Sequence, residues 1–378
     1  MIPLFRVAMS PQATSGVAGV LASGRLEHGP RVDDFEVAVG RRLGNDRVVA
    51  VNCGTSGLHL ALHLALRGRT PGEVPGAMPG EVLCTPLTFE GTNWPVLAHG
   101  LPIRWVDVDP ATLTMDLDDL DRKISRTTRA IIVVHWTGYP VDLNRLRHVV
   151  STAADRLGIE PPPVIEDAAQ AWGATYRGVP LGAHGNMCVF SLGAIKLLTT
   201  GSGGLLVLPT DELDRQARLG RWFGIDRTAD RVHGDYDVTE YGFRFYMNDI
   251  AAAIGLANLD IVDELLARQR DNAAFYDKEL ASVPGVEHTE RADDREPSFW
   301  MYPLKVDDRA GFMRKLTGAG IMTSLISRRN DAHSVVADYH TELPGLNSIA
   351  DRVVNIPVGW SLSDDDRGHI VDTIRAGW

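Results

Sequence analysis

The chain has 378 residues, 44% of them hydrophobic, and a formal net charge of −11. A chain this long buries a large core and is expected to divide into two lobes. Its acidic balance argues against nucleic acid, whose phosphates attract Lys and Arg, and no apolar run approaches the length needed to cross a bilayer.

The N-terminus, Met1-Ile2-Pro3-Leu4-Phe5-Arg6, lacks a basic region followed by an apolar one, so no signal peptide is expected. Glu27-His28-Gly29-Pro30-Arg31 reads as a turn. Residues 47–52 (RVVAVN) predict a short buried strand. Gly54-Thr55-Ser56-Gly57 then opens a helix carrying Leu58, Leu62 and Leu66 at helical spacing. Residues 70–80 are rich in Pro and Gly and read as a surface loop. Further strands are predicted over 82–85, 103–106, 130–134, 164–166, 188–191 and 203–208, with a helix over Leu143–Leu157. Short apolar strands alternating with helices predict an α/β unit, a mostly parallel sheet with helices on both faces.

The pattern changes near Asp211. Ile250, Ile254, Ala257, Ile261 and Leu265 mark one face of a single long helix that runs on toward Tyr276. A strand over 299–306 and helices over 309–319 and 364–376 then predict a smaller α+β unit. The expected division is 1–245 for the large domain, 246–280 for the connecting long helix and 281–378 for the small domain. Cys53, Cys84 and Cys188 lie far apart without metal or redox spacing, which suits buried thiols in a reducing cytoplasm. His59 and His63 have the spacing of a helical zinc pair. Leu60 stands where that catalytic motif needs Glu, so no metal site is expected.

The chemistry concentrates between residues 164 and 204. Val164-Ile165-Glu166 delivers Asp167, and Phe190 delivers Ser191. Lys196 follows five positions later, ahead of Thr199-Thr200-Gly201-Ser202-Gly203-Gly204. A lone lysine is ordinarily a solvated surface group, and a lone Asp before Ala168-Ala169-Gln170 is ordinarily a helix cap. Here Lys196 follows a buried strand, its Gly- and Thr-rich turn lets backbone approach an anion, and Asp167 ends a neighbouring strand. Strand ends in open α/β sheets are where ligands bind.

Pyridoxal phosphate needs this set of groups. A carboxylate keeps the pyridine nitrogen protonated, an amine forms the Schiff base and a hydroxyl helps hold the phosphate. The helix start at Gly54 adds free N–H groups and the hydroxyls of Thr55 and Ser56, which together suit the phosphate. Phe89 follows the next strand and is placed to stack on the ring, although an aromatic there is more often core. Gln170, one turn past Asp167, is placed to reach the ring's phenolic oxygen.

Taken in order, these motifs resemble the DegT/DnrJ/EryC1/StrS family of sugar aminotransferases. The resemblance starts at Gly29-Pro30-Arg31-Val32 and takes in Gly54-Thr55-Ser56-Gly57-Leu58, Val106-Asp107-Val108-Asp109 and His135-Trp136-Thr137-Gly138-Tyr139-Pro140. Its most specific block runs from Glu166-Asp167 to Thr199-Thr200-Gly201. It implies the fold-type I (aspartate aminotransferase-like) fold, pyridoxal phosphate as cofactor and a homodimer. It also implies Lys196 as Schiff-base lysine and general acid/base, with Asp167 as pyridinium partner and Gln170 beside the ring oxygen. Ser56 and Ser191 match phosphate contacts, and Phe89 matches the stacking aromatic. Dehydratases of the family carry His at the lysine position, so Lys196 favours amino transfer.

Two departures stand out. In Gly242-Phe243-Arg244-Phe245-Tyr246-Met247, Arg244 replaces an Asn that in relatives crosses to the partner subunit's cofactor phosphate. Ser202 replaces a usual Glu. The stretch Ser324-Leu325-Ile326-Ser327-Arg328-Arg329-Asn330-Asp331, with His333, is similar to actinobacterial antibiotic-pathway 4-aminotransferases acting on dTDP-4-keto-6-deoxyglucose. That resemblance implies transfer from glutamate to a C4 ketone, with Arg328, Arg329 and His333 on the substrate diphosphate. A solvated basic loop is the plain alternative for that stretch. Transfer to C3 of a 3-keto sugar nucleotide is the alternative chemistry. A non-enzymatic binding or regulatory protein of this fold would be expected to have lost the Lys or the Asp.

Overall fold

The computed structural model describes residues 1–67, 80–227, 236–325 and 329–378. The chain begins α1 (Gln12–Ser23), α2 (Pro30–Leu43), β1 (Val48–Val51), α3 (Gly54–Leu66), β2 (Glu81–Cys84), α4 (Trp94–Ala98) and β3 (Ile103–Trp105). It continues α5 (Leu117–Lys123), β4 (Thr128–Val134), α6 (Leu143–Leu157), β5 (Val164–Asp167), β6 (Thr175–Tyr176), β7 (Val179–Pro180), β8 (Met187–Ser191) and β9 (Gly204–Val207). Next come α7 (Asp211–Gly220), α8 (Asp249–Leu259), α9 (Val262–Glu279), β10 (Val286–His288), β11 (Arg295–Glu296) and β12 (Tyr302–Val306). The chain closes with α10 (Arg309–Gly318), α11 (Pro344–Ile349), β13 (Val353–Ile356) and α12 (Asp364–Arg375). The expected loop over 70–80 lies, apart from Gly80, outside the described residues.

The apolar runs between 47 and 208 pair into one sheet, in the order β1-β9-β8-β5-β4-β2-β3. β8, β5, β4, β2 and β3 are parallel, and β9 runs antiparallel between β8 and β1. Successive residues feed opposite faces. Val48, Ala50, Leu83, Ile131 and Val133 join one core, while Val49, Val51, Val82, Cys84, Ala130 and Ile132 join the other. Helices cover both faces, so the strands read as continuous apolar runs rather than alternating ones. A second sheet, β10-β12-β13, packs with α9, α10 and α12 around a separate core centred on Tyr276, Tyr302, Phe312 and Ile370. Among the described residues no helix is long and apolar enough to cross a membrane.

Two expectations need correction. The single long helix is two, α8 and α9, separated at Asp260 and Ile261. Asn258 sits at the junction. Its side chain accepts from Ser10 N at 2.8 Å and donates to Thr199 O at 2.8 Å, and the turn after it tightens to a bond from Ile261 N to Asn258 O. The phase of the stripe also differs: Ile250, Ile254, Ile261 and Leu265 are only half-buried, and α8 turns Ala252, Ala253, Gly255 and Leu259 inward. Small residues face the core there because a Cβ on Gly255 would lie 2.7 Å from the Phe35 ring.

The expected turn at Glu27–Arg31 is in part a helix start, since Pro30 occupies the first position of α2. Asp249 accepts from Gly29 N at 2.9 Å and Val32 N at 3.1 Å, a cap supplied from far along the chain.

β1 is an edge strand, and its outer backbone groups are satisfied by side chains. Glu36 of α2 accepts from Ala50 N at 2.8 Å. Arg221 donates to Ala50 O at 2.9 Å and Arg218 to Val48 O at 3.0 Å, and both arginines also bond Glu36. Burial pushes the Glu36 carboxyl up, but the charges of Arg221 and Arg218 and the Ala50 amide outweigh it, so the group titrates below its ordinary value. Its stabilising contribution is therefore complete above the ordinary carboxylate range and is lost as pH falls through the lower folded value. Glu36→Ala leaves the buried Arg221 without its counter-charge and is expected to cost about 3–5 kcal/mol of unfolding stability at neutral pH. Denaturant titration from pH 7 downward checks this, with the gap to wild type closing in acid. A loss below about 0.5 kcal/mol at pH 7 would mark the cluster as an ordinary surface feature.

Candidate active site

The register of the central strands brings the chemistry to one edge. Asp167 pairs with Val134 on one side and Val189 on the other, and Ser191 pairs with Gly204. Val51 also pairs with Gly204, so the start of α3 sits beside the end of β8. That approach is close enough to demand glycine: a Cβ on Gly54 would lie 2.9 Å from Ser191 Cβ, and one on Gly204 would lie 2.6 Å from the Cys53 carbonyl carbon. The turn carrying Lys196 is closed by bonds from Leu192 N to Gly203 O at 2.8 Å and from Thr200 N to Leu192 O at 3.0 Å.

These elements surround a cavity of about 320 Å³. Thr55, Phe89, Asp167, Gln170, Ser191 and Lys196 all line it. Asp167 is buried. One carboxylate oxygen accepts from Thr92 Oγ1 at 2.6 Å and the other from Ala169 N at 2.9 Å. Burial raises its pKa, while Thr92, Ala169, Lys196 and His135 pull it back down. Gln170 Oε1 accepts from Thr137 N at 2.7 Å. Phe89 is 58% exposed, an aromatic held at the cavity wall rather than packed in the core.

Beneath this edge lies a polar pair that sequence reasoning gave no role. Val141 N donates to His135 Nδ1 at 3.1 Å, so the ring proton sits on Nε2 and is donated to Glu166 at 3.0 Å. Asn186 donates to the other Glu166 oxygen at 2.7 Å. Glu166 and Asp167 thus leave opposite faces of β5, each with its own donors.

Other sequence candidates lie elsewhere. Ser56 is turned to Cys53: its hydroxyl lies 3.2 Å from Sγ and its N–H donates to the same sulfur at 3.3 Å. Arg244 is exposed, donates to Tyr246 Oη at 3.1 Å and pairs with Glu27 at 3.4 Å, outside the cavity. Arg329 forks onto Asp331 at 2.7 and 2.6 Å and donates to Asn347 at 2.6 Å. His333 lies 3.4 Å from Glu90 and edge-on to Trp94. Arg329 and His333 are therefore engaged by carboxylates, and Arg328 lies outside the described residues. His59, His63 and His99 cluster with Phe243 and Phe245, and burial lowers His59 and His63 to about 4.

The side chains missed in the sequence are Thr92, which holds Asp167, and Trp300, whose ring centroid lies 3.7 Å from Lys196 Nζ. Neither stands in a motif that marks it. Burial lowers the Lys196 amine to about 8, and the Asp167 charge pulls it back up. The amine thus becomes neutral as pH rises through about 8. Competitive acetylation of the cofactor-free chain, read by peptide mass spectrometry across pH, is expected to give that midpoint at Lys196. Asp167→Asn removes the upward pull and is expected to move the midpoint lower still. A midpoint at the ordinary lysine value of 10.5 would contradict the burial argument.

The residues fit pyridoxal phosphate. A buried carboxylate with raised pKa suits a cationic ring nitrogen, a half-buried amine of lowered pKa suits a carbonyl, and Phe89 offers a flat wall. Residues 8–375 match the DegT/DnrJ/EryC1/StrS aminotransferase family. The fold is similar to the crystal structure of sugar aminotransferase CalS13 from Micromonospora echinospora, with 68% identity, all of both chains covered and a TM-score of 0.96. AtS13 from Actinomadura melliaura is 62% identical over 100% of this chain and 99% of its own, with a TM-score of 0.96. The aminotransferase TlmJ from Streptoalloteichus hindustanus is 31% identical over 100% of this chain and 98% of its own, with a TM-score of 0.88. The chain belongs to the DegT/DnrJ/EryC1/StrS aminotransferase family and is a pyridoxal-phosphate-dependent sugar aminotransferase of fold-type I.

Proposed function

We propose that this enzyme transfers an amino group from glutamate to the C4 ketone of dTDP-4-keto-6-deoxyglucose. The products are 2-oxoglutarate and a 4-amino-4,6-dideoxy sugar nucleotide for natural-product glycosylation in the cytoplasm. The observation that carries the reading is the convergence of a half-buried lysine, a buried carboxylate and an exposed aromatic on one cavity. The C4 choice rests on the resemblance of the Ser324–His333 stretch to 4-aminotransferases, and the likeness to sugar aminotransferase CalS13 supports a sugar as the acceptor.

Bound in this cavity, pyridoxal phosphate supplies an electron sink for the carbon that gains or loses the amine. Lys196 Nζ would hold the cofactor and would serve as the acid and base at that carbon. A lysine whose pKa lies near 8 passes readily between the two forms that this shuttling needs. Asp167, oriented by Thr92 and Ala169 N, keeps the ring nitrogen protonated. Phe89 would pack on the ring and Gln170 would lie beside its hydroxyl. The N-terminus of α3, with Thr55, Ser56 and Ser191, takes the phosphate, which requires the Ser56 hydroxyl to leave Cys53.

Arg244 serves the phosphate of a second subunit in a homodimer. Its exposure, beside Tyr246 and the exposed Phe223, supports that placement. Sedimentation of the holoenzyme is expected to give twice the 41.3 kDa chain mass. A fully active monomer would remove this role.

The direct test of function is incubation with ¹⁵N-glutamate and a panel of keto sugar nucleotides, with NMR of the product. The label is expected on C4. Label on C3 would correct the regiochemistry, and no labelled sugar with any substrate would sink the proposal.

Arg328, Arg329 and His333 contact the substrate diphosphate in this reading, with Arg329 exchanging Asp331 for phosphate. Alanine at Arg328 or Arg329 is then expected to raise KM for the sugar nucleotide about tenfold while leaving the glutamate half-reaction within twofold. Equal damage to both halves would point to folding rather than recognition.

A further inference from the structure

The chain start and the small sheet meet at Lys196. Ile2 N donates to Gly320 O at 2.7 Å and Met322 N to Ile2 O at 3.0 Å, which pins the N-terminal segment along the stretch that goes on to bridge Asn355 of β13 through Ser324. Phe5 then stacks on Trp300, with ring centroids 4.9 Å apart and planes 21° from parallel. Trp300 is fixed from three sides. Its backbone N–H donates to Thr137 O at 2.9 Å, its Nε1 donates to Ile195 O at 3.1 Å, and Phe5 backs the ring. The residue before it, Phe299, has φ of 52°, a left-handed backbone that bulky side chains rarely adopt. Such conformations persist where the surroundings enforce them, and they cluster at functional sites. Here the conformation immediately precedes the side chain that faces Lys196.

We propose that the indole face of Trp300, backed by Phe5, is the seat of the Lys196 amine whenever that amine is not bonded to the cofactor. Trp300 is thus a positioning residue for proton transfer. The inference rests on Lys196 being the proton-moving lysine. An aromatic face attracts an ammonium through its negative quadrupole and does so best when water is excluded. The seat keeps a long, flexible side chain within reach of the reacting carbon between its two proton transfers. It also favours the ammonium form against the burial that disfavours it. Among the described residues, Asp167 from β5 and Cys53 ahead of α3 are the titratable side chains that line the cavity with Lys196. Both are unchanged in the variants below, and the Trp300 and Phe5 side chains carry no charge.

The test compares Trp300→Phe with Trp300→Leu. Both lose the Nε1 donor to Ile195, and only the second loses the aromatic face. The holoenzyme is held in its amino form by excess glutamate, where the Lys196 amine is free. Competitive acetylation across pH, read at the Lys196 peptide, then follows the amine directly. The Phe variant is expected to keep the wild-type midpoint within about 0.3 units. The Leu variant is expected to fall by about one unit, a tenfold shift toward the neutral amine. Rapid mixing with glutamate is expected to show about a tenfold lower rate constant for Leu, with glutamate KM within twofold. Phe5→Ala is expected to give a smaller shift in the same direction. Equal midpoints for Phe and Leu overturn the proposal. So does an equal loss of rate in both, which would assign the ring to packing alone. A cofactor trapped on a lysine other than Lys196 overturns this inference and the functional reading together, whereas the midpoints test the indole seat by itself.

Discussion

A carboxylate taken out of water must be given donors, a cation or a proton. Asp167 receives two donors, from Thr92 and the Ala169 amide, and feels the nearby Lys196 charge. Its pKa still lies above the ordinary value because burial outweighs them. The site is built around that residual demand, which a cationic ring nitrogen answers. The same low-polarity surroundings depress the Lys196 amine, so one cause, burial, moves an acid and a base toward each other. Perturbed groups of this kind, an acid raised and an amine lowered in one cavity, mark functional sites.

The sheet supplies the precision. Parallel strands β4, β5 and β8 end in step, so Asp167 and Ser191 emerge on one edge. β9 returns antiparallel and brings Gly204 under the start of α3, where a side chain would collide with the Cys53 backbone. β1 then closes the sheet, its free edge sealed by Glu36, Arg218 and Arg221 rather than by another strand. The α3 N-terminus follows directly from β1, so this edge cluster also fixes where the proposed phosphate-binding N–H groups point.

What was legible in the sequence was local. Short apolar runs marked the strands because both faces of the sheet are covered. The residues at their ends stood out because an Asp, a Ser and a Lys are costly or unusual there. What was hidden depended on contacts between distant parts of the chain. Asn258, at the junction of α8 and α9, bonds Ser10 and Thr199, and Asp249 caps α2 from more than two hundred residues away. Thr92 and Trp300 carry no motif, and each is brought to the cavity by tertiary packing. Arg329 read as a free cation, yet a 3-10 turn over Asn330–Ala332 sets it against Asp331. The domain of the chain that holds the site was readable from strand ends, whereas the contribution of the N-terminal segment through Phe5 was not.

The central claim is that Lys196, facing Asp167 across this cavity, carries the cofactor. Borohydride reduction of the pyridoxal-phosphate-loaded enzyme followed by peptide mapping tests it most directly. The account predicts a stoichiometric phosphopyridoxyl group on the peptide containing Lys196, and none after Lys196→Ala. A full label on another lysine, or an undiminished label in the Lys196→Ala enzyme, would contradict it.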